Sequence, residues 1–224
     1  MSIVDTRERT INTKVVYYGT GLGGKTTSLQ CVHHTLDPEQ RVKMVSLNTD
    51  EERTLFFDFL PIDLGEVGGY KIRIQGFTVP GQVKYNLTRK YVLMGADAVV
   101  FVADSNVTRF AENVASFENL RENLELNGLD PKTIPMILQY NKRDLPDTTP
   151  VEVFEEHLNA RGLDHFETVA SEESGVFDGF LRISELMLNA VAEKYGLTTT
   201  QESVGATARR ALWDLAQTDA AMPR

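Results

Sequence analysis

A glycine-rich stretch that ends in a lysine and a threonine is the part of this sequence best suited to chemistry. The stretch from Gly19 to Thr26 follows the spacing GxxxxGK[ST]. Glycines let a backbone curl until its N–H groups point inward at a phosphate. A helix that starts at the end of such a loop adds the partial positive charge of its N-terminus. The pattern therefore predicts a loop that holds the phosphates of a nucleotide.

The members of this loop have different expected contacts. Lys25 would reach the β- and γ-phosphates, and the hydroxyl of Thr26 would bind Mg²⁺. The other members would line the cradle and contribute backbone N–H groups: Gly19, Gly21, Leu22, Gly23, Gly24 and Thr27. A phosphate loop alone does not separate kinases, ATPases and GTPases.

A second polar motif indicates which base is bound. Asn141-Lys142-Arg143-Asp144 follows an apolar run that is typical of a buried strand. The carboxylate of Asp144 can accept two hydrogen bonds from the N1–H and the exocyclic amine of guanine, whereas adenine lacks this donor pair. We expect Asn141 to tie this loop to the phosphate loop and the aliphatic stem of Lys142 to cover the base. The motif thus favours guanine.

Alternating strand and helix patterns would position both motifs. Strand patterns cover 14–18, 70–79, 97–103 and 134–140, and helical patterns begin near Lys25 and cover 111–126, 152–160 and 176–195. Such alternation predicts an α/β fold of the P-loop NTPase class, with a mostly parallel sheet and helices on both of its faces. Ligands of such sheets bind at the carboxyl ends of the strands, where both motifs fall.

The chain divides into a long regular part and a shorter tail. We predict a small GTPase domain over residues 1–196 and a C-terminal tail over 197–224. In the tail, Ala208, Leu212 and Leu215 have nearly helical spacing, so that a short helix outside the main domain and a frayed segment both fit.

Composition excludes several classes of protein. The net charge of −9 argues against a nucleic-acid binder that relies on phosphate contacts. The single cysteine indicates a reducing compartment, and no apolar stretch of about 18 residues is present. Ser2 and the last four residues carry no lipidation signal. We therefore expect a cytoplasmic protein without a direct membrane anchor, so any association with a membrane would need a partner.

Four stretches between about Lys14 and Tyr195 resemble the MglA family of bacterial Ras-like small GTPases, which are switches of gliding motility and cell polarity. The stretches are Val15–Gly19, Glu52–Pro61, Thr78–Gln82 and Gln139–Pro146. The resemblance implies a Ras-like fold, binding of GTP or GDP with Mg²⁺, and slow hydrolysis of GTP. It also implies a GTPase-activating partner, an MglB-like homodimer of the Roadblock fold, and recruitment to a cell pole by partners.

The resemblance further implies roles for individual residues. Thr54 matches the switch threonine that closes on Mg²⁺ and the γ-phosphate, and Gly81 matches the glycine whose N–H senses that phosphate. Gln82 matches the glutamine that orients the attacking water. Arg53 resembles an arginine supplied in cis to neutralise charge in the transition state. The backbone N–H of Ala170 would meet the carbonyl of guanine.

One position departs from the general Ras-like pattern. Thr78 stands where these proteins usually have an aspartate that supports Mg²⁺ through water, a change that looks typical of the MglA group. A neutral hydroxyl leaves one negative charge fewer in the outer shell of the ion. The sequence therefore leaves the strength of Mg²⁺ binding open.

Two other functions fit parts of this pattern. A P-loop kinase or ATPase would select adenine, against which Asp144 argues. An interaction module could bind nucleotide with negligible hydrolysis, against which the pair Arg53 and Gln82 argues. The leading hypothesis is a regulated GTPase whose effectors the sequence does not identify.

Overall fold

A single sheet with helices on both faces forms the framework of the protein. The computed structural model describes residues 3–36, 44–47, 57–197 and 202–220. The strands within these ranges are β1 (Ile3–Asp5), β2 (Thr10–Gly19), β3 (Val45–Leu47), β4 (Phe57–Val67), β5 (Tyr70–Thr78), β6 (Ala98–Asp104), β7 (Met136–Asn141) and β8 (His165–Thr168). The helices are α1 (Lys25–Thr35), α2 (Asn86–Leu93), α3 (Phe110–Leu126), α4 (Val151–Leu158), α5 (Val176–Tyr195) and α6 (Val204–Ala220).

The order of the strands places β2 near the centre of the sheet. Among the described residues the order is β3-β4-β5-β2-β6-β7-β8, with the short β1 antiparallel to the start of β2. Strands β5, β2, β6, β7 and β8 run parallel, and β3 and β4 add an antiparallel edge. The predicted α/β class with a mostly parallel sheet is confirmed.

Side chains that alternate along β2 build two apolar layers. Val15 and Tyr17 join the layer formed with α1, α5 and α6. Val16 and Tyr18 join the layer formed with α2, α3 and α4. Because both faces of the sheet are covered, the central strand β6 is apolar up to its last residue, Asp104, and is buried at every position. This rigid double layer fixes the positions of the strand ends.

The tail contains a helix that packs against the rest of the protein. The helix α6 has 17 residues and buries Val204, Ala208 and Leu212 in the layer that also contains α5, while Leu215 packs at its margin. The helical spacing seen in the sequence thus corresponds to an apolar face. Through this face α6 packs into the same apolar layer of the sheet as α5. The division of the chain at residue 196 stays a prediction.

The carboxyl ends of the parallel strands meet at one edge of the sheet. β2 ends at Gly19, β5 at Thr78, β6 at Asp104, β7 at Asn141 and β8 at Thr168. Both sequence motifs therefore lie at this edge, where α/β sheets bind ligands. None of the helices in the described part of the chain combines enough length with enough apolar character to cross a bilayer.

Candidate functional site

The loop between β2 and α1 has the shape expected of a phosphate cradle. Gly19 and Gly24 have φ angles of 143° and 103°, which L side chains rarely adopt. A Cβ on Gly19 would lie 2.1 Å from the carbonyl oxygen of Val102, and one on Gly24 would lie 2.0 Å from Nδ2 of Asn141. Glycine is therefore required at both positions, because the loop runs directly against β6 and β7.

The ammonium group of Lys25 lies inside this loop. Its Nζ donates to the carbonyl oxygens of Gly19 at 3.1 Å and Thr20 at 2.6 Å, and the side chain is buried. The pKa of Lys25 is lowered to about 8, chiefly by burial and also by the Arg89 guanidinium, with Asp58 opposing both effects. A buried cation in this position would be stabilised by an anion, which is the role predicted for Lys25.

Two hydroxyl groups converge on one carboxylate beside the loop. Thr26 Oγ1 donates to Oδ2 of Asp58 at 2.6 Å, and Thr78 Oγ1 donates to the same oxygen at 2.9 Å. The backbone N–H of Asp58 donates to Thr78 Oγ1 at 2.9 Å. The sequence predicted Thr26 and Thr78 here but missed Asp58, although a lone aspartate within an aromatic run was a visible signal.

A cavity of about 380 Å³ joins these groups. It lies between the loop, the start of β4 and the segment that follows β5, and several predicted residues line it. Its lining residues are Leu22, Gly24, Lys25, Thr26, Thr27, Phe57, Asp58, Thr78, Val79, Pro80 and Gly81. Hydroxyl groups, a buried ammonium and backbone N–H groups suit a phosphorylated ligand.

The segment after β5 closes against the phosphate loop. A Cβ on Gly81 would lie 2.2 Å from the backbone nitrogen of Gly21, so only glycine fits this approach. Gln82 follows with an exposed side chain. Its carbonyl oxygen accepts a hydrogen bond of 2.6 Å from Nη1 of the buried Arg89. Gly81 lines the cavity and Gln82 is the next residue in the chain, whereas Arg53 and Thr54 lie outside the described residues.

Asn141 connects three separate segments through its buried side chain. Its Nδ2 donates to the carbonyl oxygen of Gly23 at 2.9 Å, which is the predicted tie to the phosphate loop. Its Oδ1 accepts from Oγ1 of Thr168 and from the backbone N–H of Ala170, each at 3.0 Å. One residue therefore holds the phosphate loop, the end of β7 and the loop after β8 in a fixed relation.

The turn after Asn141 presents the other members of the motif. Lys142 has a φ of 67°, and its Nζ pairs with the buried carboxylate of Asp104 at 2.6 Å. Asp144 is exposed in the turn, two residues further on. The N–H of Ala170 donates to Asn141, so a guanine carbonyl would have to share that donor. Contacts of Lys142, Asp144 and Ala170 with a base stay predictions.

The family model that describes the Ras family matches residues 14–189, most of the chain and all of the elements that carry this site. The chain belongs to the Ras family. Proteins of this family are GTP-binding switches that hydrolyse GTP, and this GTPase shares that activity. The resemblance noted from the sequence motifs is confirmed at the level of the family.

Three individual relatives show which members of the family the sequence of this GTPase is similar to. It is 48% identical over 188 residues to "Mutual gliding-motility protein MglA" of Myxococcus xanthus, covering 84% of this chain and 96% of the relative. It is 25% identical over 190 residues to "Ras-related protein RABG3a" of Arabidopsis thaliana, covering 82% of this chain and 85% of the relative. "Ras-related protein Rab-15" of Homo sapiens shares 27% over 127 residues, 56% of this chain and 58% of its own length.

Ras-family GTPases bind guanine nucleotides and usually Mg²⁺. Within the described ranges, no group of three or more His, Cys, Asp or Glu side chains could hold a metal by itself. Mg²⁺ in nucleotide sites is bound through one or two protein oxygens, waters and the phosphates of the substrate. The Thr26 hydroxyl beside the Asp58 carboxylate fits that chemistry, so the residues present suit this ion.

Two arginines of the GTPase have contacts that sequence reasoning did not anticipate. Arg89 donates to the carbonyl oxygen of Gln82 and, through Nε, to Oδ1 of Asn119 at 3.0 Å. Arg109 donates from Nη2 to the carbonyl oxygen of Gly21 at 2.9 Å. These contacts link the loops around the cavity to α2 and α3. Asn119 and Gly21 are distant in the sequence from these arginines. The contact of Arg89 with Gln82 spans seven residues, so no periodic pattern indicated these contacts.

Proposed function

We propose that this GTPase binds GTP or GDP with Mg²⁺ at the carboxyl edge of its sheet and acts as a switch in gliding motility or cell polarity. The observation that carries the site is the buried side chain of Asn141. It bonds to the phosphate loop through Gly23 and to the loop after β8 through Ala170. These bonds support the proposal that the cavity beside Lys25 and the turn that presents Asp144 belong to one site.

Each residue of the cradle has a role in this proposal. Bound Mg²⁺ would neutralise charge on the β- and γ-phosphates. Lys25 would donate to the same phosphates, and the Thr26 hydroxyl would hold the ion. The N–H of Gly81 would report the presence of the γ-phosphate, and Gln82 would orient the attacking water. Loss of the γ-phosphate would release Gly81 and its neighbours, which is how such switches change shape.

The roles of Arg53 and Thr54 rest on the resemblance to the MglA family. Thr54 would close on the ion and on the γ-phosphate. Arg53, which the same chain supplies, would neutralise charge in the transition state. An activator would then need only to position the groups that this chain already supplies. An MglB-like homodimer of the Roadblock fold is the partner that we propose.

Replacing Gln82 by leucine should preserve GTP binding and strongly slow hydrolysis. Leucine cannot orient a water molecule, and the loss of one such positioning group costs roughly 100-fold in rate. Phosphate release after a single turnover, with and without a Roadblock-fold activator, measures this effect. Gln75→Leu is the matched control, because Gln75 lies in the middle of β5. Stimulated hydrolysis that Gln82→Leu leaves unchanged would exclude this role.

Replacing Asp144 by asparagine should change the choice of base. An amide cannot accept both donors of guanine, so we expect GDP to bind roughly 100-fold more weakly. Xanthine carries a carbonyl in place of the amine, so the amide N–H of the variant should favour xanthosine diphosphate. Competition against fluorescent GDP measures both changes. The control Asp147→Asn alters an exposed carboxylate three residues away and should behave like the wild type. If Asp144→Asn binds GDP as the wild type does, another group selects the base.

A further inference from the structure

The carboxylate of Asp58 lies where two strands and a helix meet at the cavity. Asp58 is the second residue of β4, and the register of β4 with β5 places Phe59 opposite Phe77. Asp58 and Thr78 are therefore direct neighbours across the two strands. The side chain of Thr26, in the first turn of α1, reaches the same carboxylate oxygen. Three elements thus deliver one carboxylate and two hydroxyls to a single point.

The direction of these hydrogen bonds matters for a metal ion. Thr26 and Thr78 both donate to Oδ2 of Asp58, at 2.6 and 2.9 Å. A hydroxyl that donates its hydrogen to a carboxylate keeps its lone pairs available for a cation. Carboxylates that orient a metal ligand in this way typically contribute 10- to 100-fold to metal affinity or activity. The arrangement suits a carboxylate that orients the predicted Mg²⁺ ligand, the hydroxyl of Thr26, and does not bind the ion itself.

The charge of Asp58 also lies next to Thr78, the position at which Ras-like proteins usually have a charged aspartate. Thr78 supplies only a neutral hydroxyl at the end of β5, and that hydroxyl donates to Asp58. The negative charge therefore stands one strand away, on β4, and remains within hydrogen-bond reach of the predicted Mg²⁺ ligand Thr26. It lies near the N-terminus of α1, where the helix dipole also favours an anion.

We propose that Asp58 is the positioning carboxylate of the Mg²⁺ site and replaces in function the charge that is missing at position 78. This inference rests on the proposed binding of guanine nucleotide with Mg²⁺. Asp58 would orient the hydroxyl of Thr26 and add one negative charge to the surroundings of the ion. The support for Mg²⁺ would then come from β4, the strand that begins three residues after Thr54 in the sequence.

The competing explanation is purely structural. Asp58 also lowers the cost of burying the ammonium of Lys25, since it raises a pKa that burial lowers. If that were its whole contribution, its charge would matter for the nucleotide-binding loop and not for the metal. The two explanations differ in how the dependence of nucleotide release on Mg²⁺ responds to removal of the charge.

The test is the release of fluorescent GDP from Asp58→Asn, measured across a range of free Mg²⁺ concentrations. We expect the Mg²⁺ concentration that half-maximally slows release to rise about 10- to 100-fold. With excess chelator, the variant and the wild type should release GDP at closely similar rates. The matched control is Asp63→Asn, an exposed carboxylate on the same strand that pairs with Arg73. It should keep the wild-type dependence on Mg²⁺.

A second variant restores the charge at the other position. Asp58→Asn combined with Thr78→Asp should return the Mg²⁺ dependence close to that of the wild type. An unchanged Mg²⁺ dependence in Asp58→Asn, or a folded double variant that restores nothing, would overturn the inference. If Asp58→Asn releases GDP faster than the wild type only in excess chelator and keeps the wild-type dependence on Mg²⁺, Asp58 has the structural role. That result would overturn the inference as well. Failure of the wild type to bind GDP would instead refute the proposed function.

Discussion

Replacing Lys25 by alanine should weaken GDP binding roughly 100-fold or more. The ammonium is held inside the phosphate loop by the carbonyl oxygens of Gly19 and Thr20, and its burial lowers its pKa to about 8. Charge-assisted hydrogen bonds to phosphate contribute about 1.5–3 kcal/mol each, and each 1.4 kcal/mol corresponds to a tenfold change in affinity. Titration with fluorescent GDP measures the loss directly.

Thermal unfolding with and without GDP gives a second measurement of the Lys25 effect. A ligand that binds only the folded state raises the melting temperature, so GDP should stabilise the wild type and have little effect on Lys25→Ala. Lys71→Ala is the matched control, because Lys71 is exposed near the start of β5, at the opposite end of that strand from Thr78. An affinity of Lys25→Ala within a few-fold of the wild type would contradict the assignment of the phosphate loop.

Replacing Asn141 by alanine should damage both stability and nucleotide binding. The change leaves the carbonyl of Gly23, the hydroxyl of Thr168 and the N–H of Ala170 without their shared partner. Each unsatisfied buried group costs about 1–3 kcal/mol, so the free energy of unfolding should fall by roughly 3 kcal/mol or more. GDP affinity should fall roughly 100-fold, since the phosphate loop loses its tie to the base loop.

Denaturant unfolding and GDP titration together separate the two effects of Asn141→Ala. Asn159 offers a matched control, because it is also buried. Its side chain bonds to Glu155 and twice to Leu163, away from the cavity. Asn159→Ala should lose stability by a similar amount and keep its GDP affinity. If Asn141→Ala lost stability alone, the residue would hold the fold together without organising the nucleotide site.

Strong local patterns made much of the fold predictable. The helix predicted over 176–195 is confirmed as Val176–Tyr195, because its apolar side chains repeat with helical spacing against the sheet. The strand predicted over 97–103 is confirmed as Ala98–Asp104, a run buried at every position. The segment around β4 was not recognised as a strand. Pro61 and Gly65 interrupt its pattern, and its pairing with β5 shifts register between Asp63 and Gly65.

Contacts between distant segments limited the prediction of the site. The motifs located Lys25 and Thr26 at the start of α1 and Asn141 at the end of β7, since loop geometry and strand ends follow from local sequence. Their roles toward a nucleotide stay predictions. Asp58 could be connected to Thr26 only through the register of two strands and the packing of a helix. The tie between Arg89 and Gln82 likewise depends on how α2 lies against the sheet. Such relations follow from tertiary packing and leave no periodic trace in the sequence.

The most direct test of the account is displacement of fluorescent GDP from the wild-type protein by unlabelled nucleotides. The site predicts that GDP and GTP displace the label at comparable concentrations. ATP should require roughly 1,000-fold more, since adenine would leave the carboxylate of Asp144 unpaired. Displacement by ATP as effective as that by GTP would contradict the assignment of Asn141 to Asp144 as the guanine-binding motif, and with it the central claim.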